Sequence, residues 1–105
     1  MREWKHMGEK LLFDHDLSGI INLNEELVIE LMEIILNEDR TICRCPVCIE
    51  DIYALSLNLL TPLYVQDSFK ARALGNSKLT RNLDRGHVDD VVRKAISTVS
   101  KNPYH

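Results

Sequence analysis

Three cysteines crowd into Cys43-Arg44-Cys45-Pro46-Val47-Cys48. No other feature of this 105-residue chain restricts its folding as strongly. Cys45 and Cys48 are spaced so that both thiols can meet on one side of a tight turn. Pro46 suits that turn, because its φ is fixed and its missing amide hydrogen is not needed there. Cys43, two residues before Cys45, shares a face with it where the backbone is extended. Three thiolates so placed match zinc, which takes sulfur and imidazole ligands in a tetrahedron. A fourth position remains, for a protein ligand in a structural site or for water in a catalytic one. The histidines are His6, His15, His87 and His105. Other readings of the motif stay open: three reduced, buried thiols without metal, a redox pair at Cys45 and Cys48, or an iron–sulfur cluster. A redox pair normally sits beside a strand–helix unit, and the sequence offers none. A cluster usually draws four cysteines from one chain. An odd number of cysteines so close in sequence staples almost no chain, so a disulfide framework fits poorly.

Around this bend the sequence reads as helices. Asn24-Glu25-Glu26 is an N-cap followed by acidic first-turn residues. The helix it opens carries Leu27, Val28, Leu31, Met32, Ile34, Ile35 and Leu36, which cover more than one face. The excess suggests a second apolar surface, such as another copy of the chain. After the cysteines, Ile49, Ile52, Leu55 and Leu59 recur at helical spacing until Pro62 stops the run. Thr61 to Val65 should be extended or turn-like. Asp67 or Ser68 can cap a short helix ending near Gly75. Val88, Val91, Val92, Ala95, Ile96 and Val99 form one stripe of a last helix, which Pro103 ends. Met1 to Phe13 is expected as a short helix carrying Trp4, Met7, Leu11 and Leu12, and Asp14 to Gly19 as a loop. No segment shows sustained period-two alternation, so little or no sheet is expected. The fold class expected is all-α: one small domain of four to five helices with a zinc site. Residues 1–20 would be an N-terminal extension and 21–105 the zinc-binding helical domain.

Composition excludes some functions. Hydrophobic residues are 45% and charged residues 28%, a globular balance. Net charge is −3, so nucleic acid is not an expected partner. No stretch reaches the roughly 18 apolar residues of a membrane span, and the N-terminus lacks the basic-then-apolar pattern of a signal peptide, so the expected location is cytoplasmic, off the membrane. The charge is uneven. Glu25, Glu26, Glu30, Glu33, Glu38 and Asp39 make 22–39 acidic, whereas Lys70, Arg72, Lys78, Arg81 and Arg85 make 70–85 basic. An anionic ligand would sit on the second segment.

The run Cys43-x-Cys45-x-x-Cys48, Asp51, Ala54-Leu55-Ser56-Leu57-Asn58 and Pro62-x-Tyr64-Val65 resembles the late competence protein ComFB family of bacteria. The likeness is good over Leu27 to Val65, weaker through the last helix, and absent before Gly19. It implies a small helical protein forming an antiparallel homodimer, with one zinc per subunit held by four cysteines. Three of these match Cys43, Cys45 and Cys48. The fourth lies in the family just past a helix ending in proline. This chain has Asn102-Pro103-Tyr104-His105 there, so the resemblance makes His105 the replacement, with His87 or water as alternatives. Such a site would tie the last helix to the bend and close a loop of about 60 residues, lowering the entropy of the unfolded chain.

Some family members are described as receptors for cyclic-di-GMP that affect motility or competence, acting on a protein partner this sequence does not name. Two phosphates and two guanines suit arginine, which pairs bidentately and stacks. The residues to contact it would be Lys70, Arg72, Arg81 and Arg85, with Asp84 accepting from a guanine edge. Arg81-Asn82-Leu83-Asp84 reads R-x-x-D, a pattern common in such sites, though a solvated charged face reads the same way. Tyr53 and Tyr64 could stack on a base or belong to core or interface. The alternative function is a zinc-dependent protein–protein or nucleic-acid interaction module without a small ligand. An enzyme is not expected: there is no nucleophile elbow, phosphate-cradling glycine loop, H-E-x-x-H or paired acid–base arrangement. Asp89 and Asp90 are adjacent on a helix and point apart, so they serve its N-terminus better than catalysis.

Overall fold

The computed structural model describes residues 10–67 and 84–103. Three helices carry the core: α1 (Asn24–Glu38), α2 (Pro46–Leu59) and α3 (Arg85–Lys101). α3 follows its sequence stripe closely, with Val88, Val91, Val92, Ala95, Ile96 and Val99 all buried. Asp84 caps it, its carboxylate accepting from the Gly86 amide at 3.0 Å. Lys101 lies in the last turn, where the helix dipole favours a cation. α1 buries Val28, Leu31, Met32, Ile35 and Leu36 but leaves Ile29 53% and Ile34 39% exposed. Its apolar surface is thus wider than the core it faces.

α2 departs from the expected stripe. Its buried side chains are Cys48, Ile52 and Ser56, four residues apart, while Leu59 is 43% exposed and Ile49 half-buried. Two small side chains, Cys48 and Ser56, thus flank Ile52 on the face that α2 buries.

The helices have a definite sense. α1 ends seven residues before α2 begins, and the start of α1 is bonded to Thr61 just past the end of α2, so these two run antiparallel. On the other side, Arg85 Nη1 meets Glu30 Oε1 at 3.1 Å and Arg93 Nη2 meets Glu38 Oε2 at 3.9 Å. Both pairs are 55 residues apart in sequence, so α1 and α3 run parallel.

The all-α expectation of four to five helices is overturned. The described residues form three helices and two small antiparallel sheets, an α+β arrangement. Strand β1 (Leu11–Leu12) pairs with β2 (His15–Asp16), Leu11 opposite Asp16 and Leu12 opposite His15. Phe13 and Asp14 turn the hairpin with φ of 48° and 65°, the sign a two-residue type I′ turn requires. Residues 11–13 therefore do not continue the N-terminal helix expected there. Strand β3 (Ile20–Asn22) pairs with β4 (Tyr64–Gln66), with Ile21 opposite Val65. Strands of two or three residues are too short to display alternation. The β3–β4 partners are also more than 40 residues apart, so neither leaves a local signal. Residues 1–9, and 68–75 where a short helix was expected, lie outside the described residues.

The start of α1 also differs from the sequence reading. Asn24 is the first helical residue, not the cap, and is 1% exposed. Asn22 takes the bonding role instead. Its Oδ1 accepts from the amides of Asn24 (3.2 Å) and Leu63 (3.1 Å). Asn24 Nδ2 donates to the Thr61 carbonyl at 2.8 Å, and the Leu23 amide donates to the Leu63 carbonyl at 2.8 Å. The Thr61 carbonyl and both backbone groups of Leu63 are thereby paired with the start of α1. Among the described residues no helix is long and apolar enough to cross a membrane.

Candidate metal centre

The cysteine bend is built by the start of α2. Cys45 is the N-cap, in extended conformation (φ −68°, ψ 159°), and Pro46 takes the first helical position, where its lack of an amide hydrogen costs nothing. The cap bond uses sulfur: the Cys48 amide donates to Cys45 Sγ at 3.4 Å. Cys48 is buried, Cys45 half-buried and Cys43 exposed. The three sulfurs lie within 4.8 Å of one another.

The electrostatics of the cluster are divided. The Cys48 amide, first of several hydrogen bonds, draws the Cys45 thiol below its ordinary range. A helix N-terminus favours a thiolate in this way. Cys48 is pushed up to about 12, first by burial and then by its neighbours Cys43 and Cys45. Without a cation the cluster therefore resists carrying three negative charges. A bound divalent ion reverses this, because a coordinating thiol is deprotonated outright. Zinc–sulfur bonds of about 2.3 Å place tetrahedral sulfurs about 3.8 Å apart, inside the 4.8 Å within which these three lie. Cys43, Cys45 and Cys48 could hold a metal ion, and the donor set is compatible with zinc.

Two hollows flank the bend. One, of about 430 Å³, lies between Ile35, Glu38, Asp39, Thr41 and Ile42 on one side and Arg93, Ile96, Ser97 and Ser100 on the other. The C-terminal end of α3 thus runs beside the residues that lead into Cys43. Asp39 is fixed there by Thr41, whose hydroxyl and amide both donate to Oδ1 and hold the carboxyl below the usual carboxylate range. The other, also about 430 Å³, is an apolar groove on the outer side of α1 and α2. Ile29, Met32, Leu36, Ile49 and Tyr53 line it, with Glu33, Glu50 and Arg44 at its rim. Burial, and secondarily the Glu25 carboxylate, push the Tyr53 phenol up.

The other residues singled out by sequence are scattered. His15 is exposed on β2. His87 is exposed in the first turn of α3, thirteen residues before Ser100 and so about 20 Å from it along the axis. Asp84 is occupied as the α3 cap, and Arg85 Nη1 donates to Glu30 Oε1. Tyr64 is exposed on β4. Lys70, Arg72, Arg81 and His105 lie outside the described residues. Sequence reasoning missed the Asn22–Asn24 pair and the outer groove. The Asn-x-Asn spacing ahead of an acidic first turn was the available signal for the former.

The model of the family described as late competence development protein ComFB matches residues 21–103. Competence protein ComFB of Bacillus subtilis (strain 168) is 30% identical over 84 residues, covering 80% of this chain and 85% of that protein. A solved structure of the late competence protein ComFB from Bacillus subtilis superposes with a TM-score of 0.63 at 30% identity, covering 80% of this chain and 91% of that one.

Proposed function

The chain belongs to the late competence development protein ComFB family, and from that membership we propose that it is a non-enzymatic regulatory protein, stapled by one zinc ion per chain and acting as a homodimer. The observation that carries the reading is the convergence of three thiols at the capped start of α2. Zinc would lock the bend as a structural ion does, by holding deprotonated sulfurs on one centre. Cys45 is prepared for this by its amide bond, and Cys48 supplies the buried wall of the site. His105, from the segment beyond α3, is the proposed fourth ligand. The homodimer is supported by the outer groove and by Ile29 and Ile34, apolar side chains left without a covering layer. In this reading the domain proper spans 21–105 and residues 1–20 are an addition to it.

The regulatory role follows the competence-related family, and its finer form is reception of cyclic-di-GMP by Lys70, Arg72, Arg81, Asp84 and Arg85. A specific observation favours the second reading, an interaction module without a small ligand. Asp84 and Arg85 already have partners in the fold, Gly86 and Glu30, which a nucleotide would have to displace. Metal analysis of the purified protein should return about one zinc per chain. A metal-free protein with an unchanged melting temperature after chelation would sink the staple. Calorimetric titration with cyclic-di-GMP separates the two regulatory readings, heat of binding supporting the receptor and its absence the ligand-free module.

A further inference from the structure

Three thiols are an incomplete set for zinc and a complete set for another class of ion. Cys43, Cys45 and Cys48 are all the cysteines this chain has. Their sulfurs lie within 4.8 Å of one another, close enough for one small ion to touch all three, and among the described residues no fourth ligating side chain joins them. Zinc asks for a fourth donor to finish its tetrahedron. A trivalent ion with a lone pair, such as arsenic(III), does not. It binds three sulfurs as a pyramid, and the lone pair takes the apex. Thiolates are soft ligands and select soft ions of this kind. The backbone has already arranged the base of the pyramid. Cys45 is fixed as the N-cap of α2, Pro46 follows it into the helix, and the Cys48 amide bonds back to Cys45 Sγ. A site ordered before the ligand arrives avoids the cost of ordering it on binding. Exposure is graded as well: Cys48 is buried, Cys45 half-buried and Cys43 exposed, so the group has an inner wall and an open mouth.

We propose that Cys43, Cys45 and Cys48 form a three-thiol cradle for trivalent oxyacids of the arsenite class, with all three sulfurs bonded to one arsenic atom. The cradle rests on the metal-centre reading above only for the convergence of the thiols. It is complete without His105, the fourth zinc ligand of that reading. In the metal-free chain, arsenous acid loses its three hydroxyls as three As–O bonds break and three As–S bonds form. Each hydroxyl leaves as water with the proton of one thiol. Arsenic stays trivalent, the cysteines stay reduced, and the product is neutral. In the zinc-loaded chain the hydroxyls take their three protons from solvent, and zinc leaves as the free divalent ion.

The test titrates sodium arsenite into the full reduced chain, metal-free and as purified, followed by calorimetry and native mass spectrometry. Each chain should gain one arsenic and lose three hydrogens, and any zinc should leave as arsenic enters. A mass that retains a hydroxyl on arsenic marks binding by two thiols and overturns the cradle. Cys43→Ser is the deciding variant, because Cys43 is exposed and its loss leaves the inner side of the bend in place. It should raise the arsenite dissociation constant at least about tenfold, the least that loss of even an outer-sphere partner costs a metal site. It should still bind phenylarsine oxide, whose arsenic carries a phenyl carbon and takes only two thiols, which shows that Cys45 and Cys48 still converge. If Cys43→Ser binds arsenite as tightly as the unsubstituted chain, or if the metal-free chain binds none at millimolar concentration, the cradle is wrong. If arsenite binds through three sulfurs to a protein that purifies without zinc, the cradle stands and the zinc staple falls.

Discussion

The two ends of the antiparallel α1–α2 pair are closed by opposite kinds of chemistry. At the end where α1 starts and α2 stops, the side chains of Asn22 and Asn24 bind the 61–63 segment with two hydrogen bonds, and a third joins Asn22 to the Asn24 amide. Strand pairing continues the clasp through Ile20–Asn22 and Tyr64–Gln66. This end is held by the chain's own donors and acceptors, with the buried Asn24 Oδ1 left unpartnered among the described residues. At the opposite end, where α1 stops and α2 starts, the closing groups are sulfurs joined by weak hydrogen bonds, the Cys48 amide to Cys45 Sγ first among them. Neutral amides satisfy one another at no charge cost, whereas thiols gathered this closely need a cation to ionise together. The contrast teaches that metal dependence should be local and one-sided.

The largest expected effect breaks the cysteine end alone. Chelation, or Cys48→Ser, should lower the melting temperature by more than about 10 °C. Hydrogen exchange should then accelerate from residues 43 to 50 while amides of Asn24 and Leu63 keep their protection. Uniform loss at both ends would erase the contrast. Next comes Asn22→Ala, which leaves two backbone amides without their acceptor at a cost of about 2–3 kcal/mol, read by urea unfolding. Zinc content should not change. Smaller still is Arg93→Ala. Its guanidinium is shared by Asp89 and Glu38 on an exposed surface, so the loss should stay under about 1 kcal/mol and vanish in molar salt.

The smallest effect is one of pH. Asp39 lies on the approach to the cysteines, with its carboxyl held low by Thr41. A carboxyl lowered on folding contributes stability that is complete above its unfolded value, near 3.8, and lost as pH falls through the folded one. Thr41→Ala should remove that acid-side contribution in the metal-free protein. An unchanged acid titration would show that the approach to the bend is not ordered before the metal arrives.

How far the fold was legible depended on the length over which each pattern ran. α3 showed six aliphatic positions in one stripe, and all six are buried. In α2 a cysteine and a serine occupy the core face, and a search for large aliphatic residues passed over both to reach Leu59, which is exposed. The strands escaped notice because each is two or three residues long and β3 finds its partner across the chain. Asn24 looked like a cap because an amide before an acidic turn ordinarily is one. Its side chain is instead drawn to Thr61, a residue no local window contains. The cysteine cluster was legible because its three residues converge through the backbone of one turn. The ligand-contact set was less so, since a run of basic residues does not state which of them will be spent on the fold, as Arg85 is on Glu30.

The parallel run of α1 and α3 bears on the order in which the chain assembles. Neighbouring antiparallel helices joined by seven residues meet after a short search, but α3 must be recruited across the 25 residues that separate it from α2, its chief packing partner. Closing a span of that length is the slower event, since loop entropy is lost before the contacts compensate it. Truncating Val92, at the centre of the α3 stripe, should therefore hasten unfolding far more than it delays the initial collapse of the first two helices.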